Sequence, residues 1–218
     1  MVSFHENVIP ESCLRAFEFL QRYTFLKDYY LAGGTALALQ IGHRVSTDLD
    51  WFSATNRLGQ DERDRIRAEL ADEETFSVAS EQEGMLFARV FETDISFIYQ
   101  QHPLLEKTVN YRGFNLASPL DIGLMKLAAI NSRGTRRDFV DLYFMRDIAS
   151  LDKLFDLATK KYANRPSFLA ITARALVYFE DAETQPMPQM HIEVVWEDVR
   201  AYCENAARNL SRDLSGLS

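Results

Sequence analysis

The sequence predicts an α+β protein, with a mixed β-sheet in the N-terminal portion, residues 1–117, and a helical region over residues 118–218. Three observations carry this. Between residues 75 and 117 the runs FSVASEQ, MLFARVF, DISFIYQ and FNLAS are short and rich in β-branched or aromatic residues, and Gly84 and the Glu92-Thr93 pair separate them as connections do in a meander. After Ser118-Pro119 the apolar residues recur at helical spacing to the end of the chain. The composition, 47% apolar and 26% charged over 218 residues, is that of a globular chain and argues against disorder away from the ends. At this length a chain hides roughly 70% of its unfolded surface, enough for a sizeable core.

The elements follow in order. Residues 10–27 read as a helix, with Leu14, Phe17, Phe19, Leu20, Tyr23 and Leu26 forming its apolar stripe. Tyr29, Tyr30 and Leu31 form a short strand broken by Gly33-Gly34, and residues 35–41 a short helix. Residues 48–53 (DLDWFS) alternate as a strand, and residues 60–73 make a charged helix anchored by Ile66 and Leu70. Beyond the meander, helices are expected over 119–133, 136–147, 150–162, 166–180 and 195–212. Pro119 suits a first helical position with Ser118 as its cap. Residues 183–190 (ETQPMPQM) form a loop, because two prolines prevent regular structure. The stripes Phe139, Leu142, Tyr143, Met145 and Phe168, Leu169, Ile171, Leu176, Phe179 are expected in the core.

The composition disfavours several function classes. The formal net charge is −8, which opposes broad nucleic-acid binding but leaves room for a local basic groove or for a nucleotide held through metal ions. Cys13 and Cys203 lie far apart in helical, partly apolar surroundings, as buried reduced thiols do. The four histidines are scattered and form no zinc spacing. The N-terminus MVSFHENVIP lacks a secretion signal, and no stretch approaches the roughly 18 apolar residues of a membrane span. A cytoplasmic protein without membrane partners is expected.

The chemistry concentrates in residues 31–52, LAGGTALALQIGHRVSTDLDWF. Alternate residues of a strand share a face, so Asp48 and Asp50 present two carboxylates side by side while Leu49 points inward. Two ionised carboxylates so close repel unless a cation lies between them, and Mg²⁺ commonly takes one or two carboxylates plus substrate phosphates. Upstream, Gly33 and Gly34 let the backbone approach a phosphate, the helix that follows offers free N–H groups to an anion, and Thr35 adds a hydroxyl. Arg44 and Ser46 serve either as phosphate contacts or as capping and turn residues, and His43 is expected to orient its neighbours. Asp94 opens the run DISFIY and is the candidate third carboxylate, with Glu92 as its rival. Such a group completes a metal site and can take the proton of an attacking hydroxyl.

The order of these parts, a diglycine, a short helix and then Asp-x-Asp on the next strand, resembles the signature of the polymerase-β-like nucleotidyltransferases. At closer range GGTALALQIGHRVSTDLDWF is similar to the AbiEii/AbiGii toxin family, with its Gly-Gly-Thr-Ala-Leu run and His-Arg-x-Ser-x-Asp-x-Asp-x-Phe stretch. Trp51-Phe52 is bulkier than the family's usual pair. The likeness resumes in SPLDIGLMKLAAINSRGTRRDFVDLYFM, where Lys126 stands at the family's helix lysine and Asp138 and Asp141 at its Asp-x-x-Asp motif. By chemistry alone Lys126 is either a solvated stem or a point charge for the triphosphate. Asp138 and Asp141 share a helix face, with Arg133, Arg136 and Arg137 near, as a structural ion cluster or a functional one.

The resemblance implies a polymerase-β-like core of mixed sheet followed by helices. It implies an enzyme that moves a nucleoside monophosphate from a nucleoside triphosphate to an acceptor, with Mg²⁺ (or Mn²⁺ in its place) on Asp48, Asp50 and Asp94. Gly33, Gly34, Thr35, Arg44 and Ser46 then hold phosphates, and Lys126, Asp138 and Asp141 join the catalytic set. It further implies a toxin of a toxin–antitoxin or phage-defence system, an RNA acceptor with transfer RNA among the candidates, and an antitoxin partner. Two other readings stay open: a non-catalytic nucleotide- or partner-binding module, and a nucleotidyltransferase acting on a small molecule such as an antibiotic.

Overall fold

The computed structural model describes residues 3–71 and 75–216. They divide into two compact units, Met1–Ser118 and Pro119–Ser218.

The first unit is built on a seven-stranded mixed sheet in the order β3-β4-β5-β2-β1-β7-β6. Its strands are β1 (Tyr30–Ala32), β2 (Leu49–Ser53), β3 (Phe76–Gln82), β4 (Met85–Val90), β5 (Thr93–Tyr99), β6 (Val109–Tyr111) and β7 (Phe114–Leu116). Central β2 runs antiparallel to β1, with Ala32 opposite Asp50 and Leu31 opposite Trp51. It runs parallel to β5, with Leu49 opposite Ile95 and Asp50 opposite Ser96. β3, β4 and β5 form the expected antiparallel meander. β6 escapes a periodicity reading because it has three residues. The chain turns from it into β7 through Arg112 and Gly113, both at positive φ, as a two-residue hairpin loop that follows strand twist requires.

Three helices attach to this sheet: α1 (Glu11–Leu20), α2 (Gly33–Ile41) and α3 (Gln60–Leu70). α1 buries Cys13, Ala16, Phe17, Phe19 and Leu20, and the Phe17 ring meets Trp51 and Phe114 edge-on or tilted at 6.3 and 5.7 Å. It stops at Leu20, short of the expected residue 27. Tyr23 is extended, and the short turn Thr24–Asp28 lets both Phe25 and Leu26 enter the core, where a continuous helix would have pointed them to different sides. Phe25 packs against Phe97 at 5.7 Å. α3 buries Arg63 as well as Ile66 and Leu70. Its expected continuation to residue 73 falls outside the described residues.

The second unit contains α4 (Pro119–Ile130), α5 (Arg136–Phe144), α6 (Leu151–Lys161), α7 (Phe168–Ala175), α8 (Glu180–Glu183) and α9 (Trp196–Ser215). Leu124, Leu127, Phe139, Leu142, Leu154, Leu176, Val199 and Cys203 form a contiguous core. Within it the Lys161 ammonium meets the Asp121 carboxylate at 2.7 Å, both side chains out of water. The helix expected over 166–180 is divided into α7 and α8. Ile171, expected in the core, is 39% exposed, and Thr172 is buried in its place. That hydroxyl donates to the Phe168 carbonyl at 2.9 Å and accepts from the Asn131 amide at 3.0 Å, so burial leaves it satisfied. Among the described residues no helix is long and apolar enough to cross a membrane.

Candidate active site

The parity of β2 sets the site. Its residues alternate between buried and half-buried: Leu49, Trp51 and Ser53 face one side, Asp50 and Phe52 the other. Trp51 joins the core beneath α1, and Phe52 stacks on Tyr30 at 6.0 Å. Asp48, one residue before the strand, is half-buried.

The diglycine lies against these carboxylates. Gly33 has φ +68°, and a Cβ there would sit 2.5 Å from Asp50 Oδ2. Only glycine tolerates both the left-handed backbone and the carboxylate above it. At Gly34 a Cβ would overlap the Arg44 guanidinium and approach the Ser46 hydroxyl to 3.1 Å. Arg44 is 2% exposed and donates from Nη1 to the Val45 carbonyl at 2.9 Å.

Hydrogen bonds tie the helix start to the strand. The buried Thr35 hydroxyl donates to the Asp48 carbonyl at 2.5 Å and lies 2.8 Å from the Ser46 hydroxyl. The Thr47 hydroxyl donates to Asp48 Oδ1 at 3.0 Å, and Ser96 donates to Asp50 Oδ1 at 2.6 Å. Beneath the loop the Cys13 thiol donates to the Thr47 carbonyl at 3.0 Å. Burial pushes this thiol up to about 11, with the Asp48 charge pushing the same way. His43 is fully buried.

Gly33, Gly34, Thr35, Arg44, Ser46, Asp48 and Asp50 therefore converge at the junction of β1, α2 and β2. The first turn of α2 presents backbone N–H groups that a helix cannot satisfy internally, beside a buried guanidinium and two hydroxyls. The half-buried Asp50 carboxylate lies over Gly33, and Asp48 shares its strand parity one residue before β2. Hard oxygen donors of this kind fit Mg²⁺, which completes its shell with water and substrate phosphate oxygens.

Asp94 occupies the same row of the sheet, two residues before Ser96 on β5, but its carboxylate takes Arg89 Nε at 2.7 Å on the exposed face. Glu92 is exposed in the β4–β5 connection. Among the described residues no three His, Cys, Asp or Glu side chains converge on one point. In the helical unit Lys126 Nζ lies 2.7 Å from Asp138 Oδ1 and 2.6 Å from Asp141 Oδ2, all three buried. The Thr135 hydroxyl donates to Asp138 Oδ2 at 2.6 Å. Lys126 is thus an internal ammonium shared by two carboxylates and no solvated stem.

Ser96, Thr47 and Cys13 touch the site and escaped the sequence reading. Only Ser96 left a signal there, sharing strand parity with Asp94.

The sequence profile of the nucleotidyl transferase AbiEii toxins, a type IV toxin–antitoxin system, matches residues 17–213. The chain belongs to the AbiEii nucleotidyltransferase toxin family. It is 34% identical over 190 residues to an uncharacterized protein of Aquifex aeolicus, covering 80% of this chain and 84% of that one. The nucleotidyltransferase toxin MenT4 of Mycobacterium tuberculosis shares its fold with a TM-score of 0.53 at 19% identity, over 84% of this chain and 75% of that chain. The antibiotic-resistance factor ANT(2'')-Ia does so with a TM-score of 0.51 at 13% identity, over 72% and 95%. The sheet and its helical region are thus a nucleotidyltransferase fold, and within it this AbiEii-family chain seats Gly33 against Asp50 and Gly34 against Arg44.

Proposed function

We propose that this AbiEii-family protein transfers a nucleoside monophosphate from a nucleoside triphosphate to a hydroxyl of an RNA acceptor, transfer RNA among the candidates. The observation that carries the reading is the Asp50 carboxylate seated over Gly33, with Thr35 holding the Asp48 backbone beside it. The acceptor oxygen forms a bond to the α-phosphorus, the bond to the β-phosphate oxygen breaks, and pyrophosphate leaves. The α2 N-terminus, Thr35, Ser46 and Arg44 bind phosphate oxygens and fix the triphosphate in line for attack. Asp48 and Asp50 are the residues to hold Mg²⁺, or Mn²⁺ in its place, and the bound metal supplies charge neutralisation on the transferring phosphate.

Asp94 is assigned as the third carboxylate and as acceptor of the hydroxyl proton, a role that requires it to leave Arg89. That ion pair is solvent-exposed, so the exchange costs little. Lys126, Asp138 and Asp141 are assigned to the catalytic set by the family resemblance. Toxin action in the cytoplasm, neutralisation by an antitoxin and a part in phage defence follow from the family reading.

Incubation with each labelled triphosphate, Mg²⁺ and cellular RNA tests the proposal. Label should enter RNA with the natural protein and fall to background with Asp48→Asn or Asp50→Asn at an unchanged melting temperature. Undiminished labelling by either variant overturns it, and label in a small molecule moves the acceptor to another class.

A further inference from the structure

We infer that a groove between α7 and α9 binds the phosphodiester backbone of single-stranded RNA. α7 contributes Arg174 and the turn after it Val177, and α9 contributes Glu204, Ala207, Arg208 and Arg212 at i, i+3, i+4, i+8 spacing, one continuous stripe. The three arginines are exposed. Arg63, Arg65, Arg67, Arg89, Arg112 and Arg200 all engage carboxylates. Among the described residues Arg174, Arg208 and Arg212 engage none, and Arg208 donates only to the neutral Asn205 side chain and to a backbone carbonyl. The Glu204 carboxylate at the groove is itself drawn to Arg200 at 3.7 Å.

The charges are strung out and do not converge. Arg208 and Arg212 stand one turn apart, about 6 Å along the helix axis. A single phosphate meets one of them, whereas a chain of phosphates meets all three. The walls hold small side chains and no aromatic anchor, which suits a backbone better than a protein partner. The choice of RNA as the polyanion rests on the proposed transfer reaction.

The test uses the full chain and a fluorescein-labelled single-stranded RNA, with anisotropy read across a salt series. Each phosphate contact on a single strand contributes about 0.7 to the slope of log affinity against log salt. The variant Arg174→Gln/Arg208→Gln/Arg212→Gln should flatten that slope by about 2, and Glu204→Gln should tighten binding. A triple variant with the natural slope overturns the inference, as does a natural protein that fails to bind the RNA. Loss of a protein partner by the triple variant with the RNA slope intact also overturns it. Triphosphate loading with Mg²⁺, followed by equilibrium dialysis, separates the two proposals. A natural protein that loads no triphosphate sinks the transfer reading, while a flattened slope still places a polyanion in the groove.

Discussion

Replacing Gly33 by alanine separates backbone strain from damage to the site. Gly33 has φ +68°, and an L-residue there costs about 1–2 kcal/mol. For a protein of this size that lowers the melting temperature by about 2–8 °C. The added methyl would also stand 2.5 Å from Asp50 Oδ2, so the carboxylate must move by about an ångström to restore ordinary contact. A displacement of that size costs about 100-fold in turnover. Gly113 provides the control. It has φ +88° in the β6–β7 turn, and a methyl added there would meet nothing within 4 Å. Gly113→Ala should lose similar stability and keep its activity. Thermal melting and labelled-nucleotide transfer on both variants read the two effects. Full transfer by Gly33→Ala refutes the placement of Asp50 in the site, and equal loss of transfer in both variants refutes the distinction between strain and displacement.

Three further outcomes are expected. Lys126→Arg keeps the charge beside Asp138 and Asp141 but changes its shape, and should lower labelled-nucleotide transfer about tenfold or more, the worth of one charge-assisted hydrogen bond; unchanged transfer with lowered melting would make the cluster structural only. Lys161→Met removes the ammonium from buried Asp121 and should cost about 3–5 kcal/mol in urea denaturation, most of it regained in the double variant with Asp121→Leu. The Cys13 thiol, raised from 9.0 to about 11, should resist iodoacetamide in the folded protein at neutral pH. Because the folded value lies above the unfolded one, its contribution to stability is complete below pH 9 and is lost as pH rises toward 11, which urea midpoints against Cys13→Ser would read.

Local patterns were legible in the sequence, and pairings between distant segments were not. The shared face of Asp48 and Asp50 follows from strand parity alone, and the diglycine announces a close approach before α2. The partner of Asp50 on β5, Ser96, depends on the register of two strands 46 residues apart, which no local pattern encodes. The parity that Asp94 shares with Ser96 is local, but its pairing with Arg89 depends on the β4–β5 register. In the helical unit the apolar stripes located most of the core. Ile171 misled because Thr172 finds the Asn131 amide 41 residues away, so a hydroxyl takes the interior position.

The register of β2 ties the site to the core behind it. A one-residue slip would reverse every side chain of the strand, turning Asp50 inward and Leu49 and Trp51 outward. Leu49 alone would forfeit about 1.5–3 kcal/mol of burial, and a carboxylate driven under α1 would lose its water for no partner. Trp51 is held between Phe17 and Phe114, so packing on the closed face of the sheet fixes which groups the open face presents. The bulky Trp51 therefore reinforces the aspartate geometry from the opposite face of the sheet.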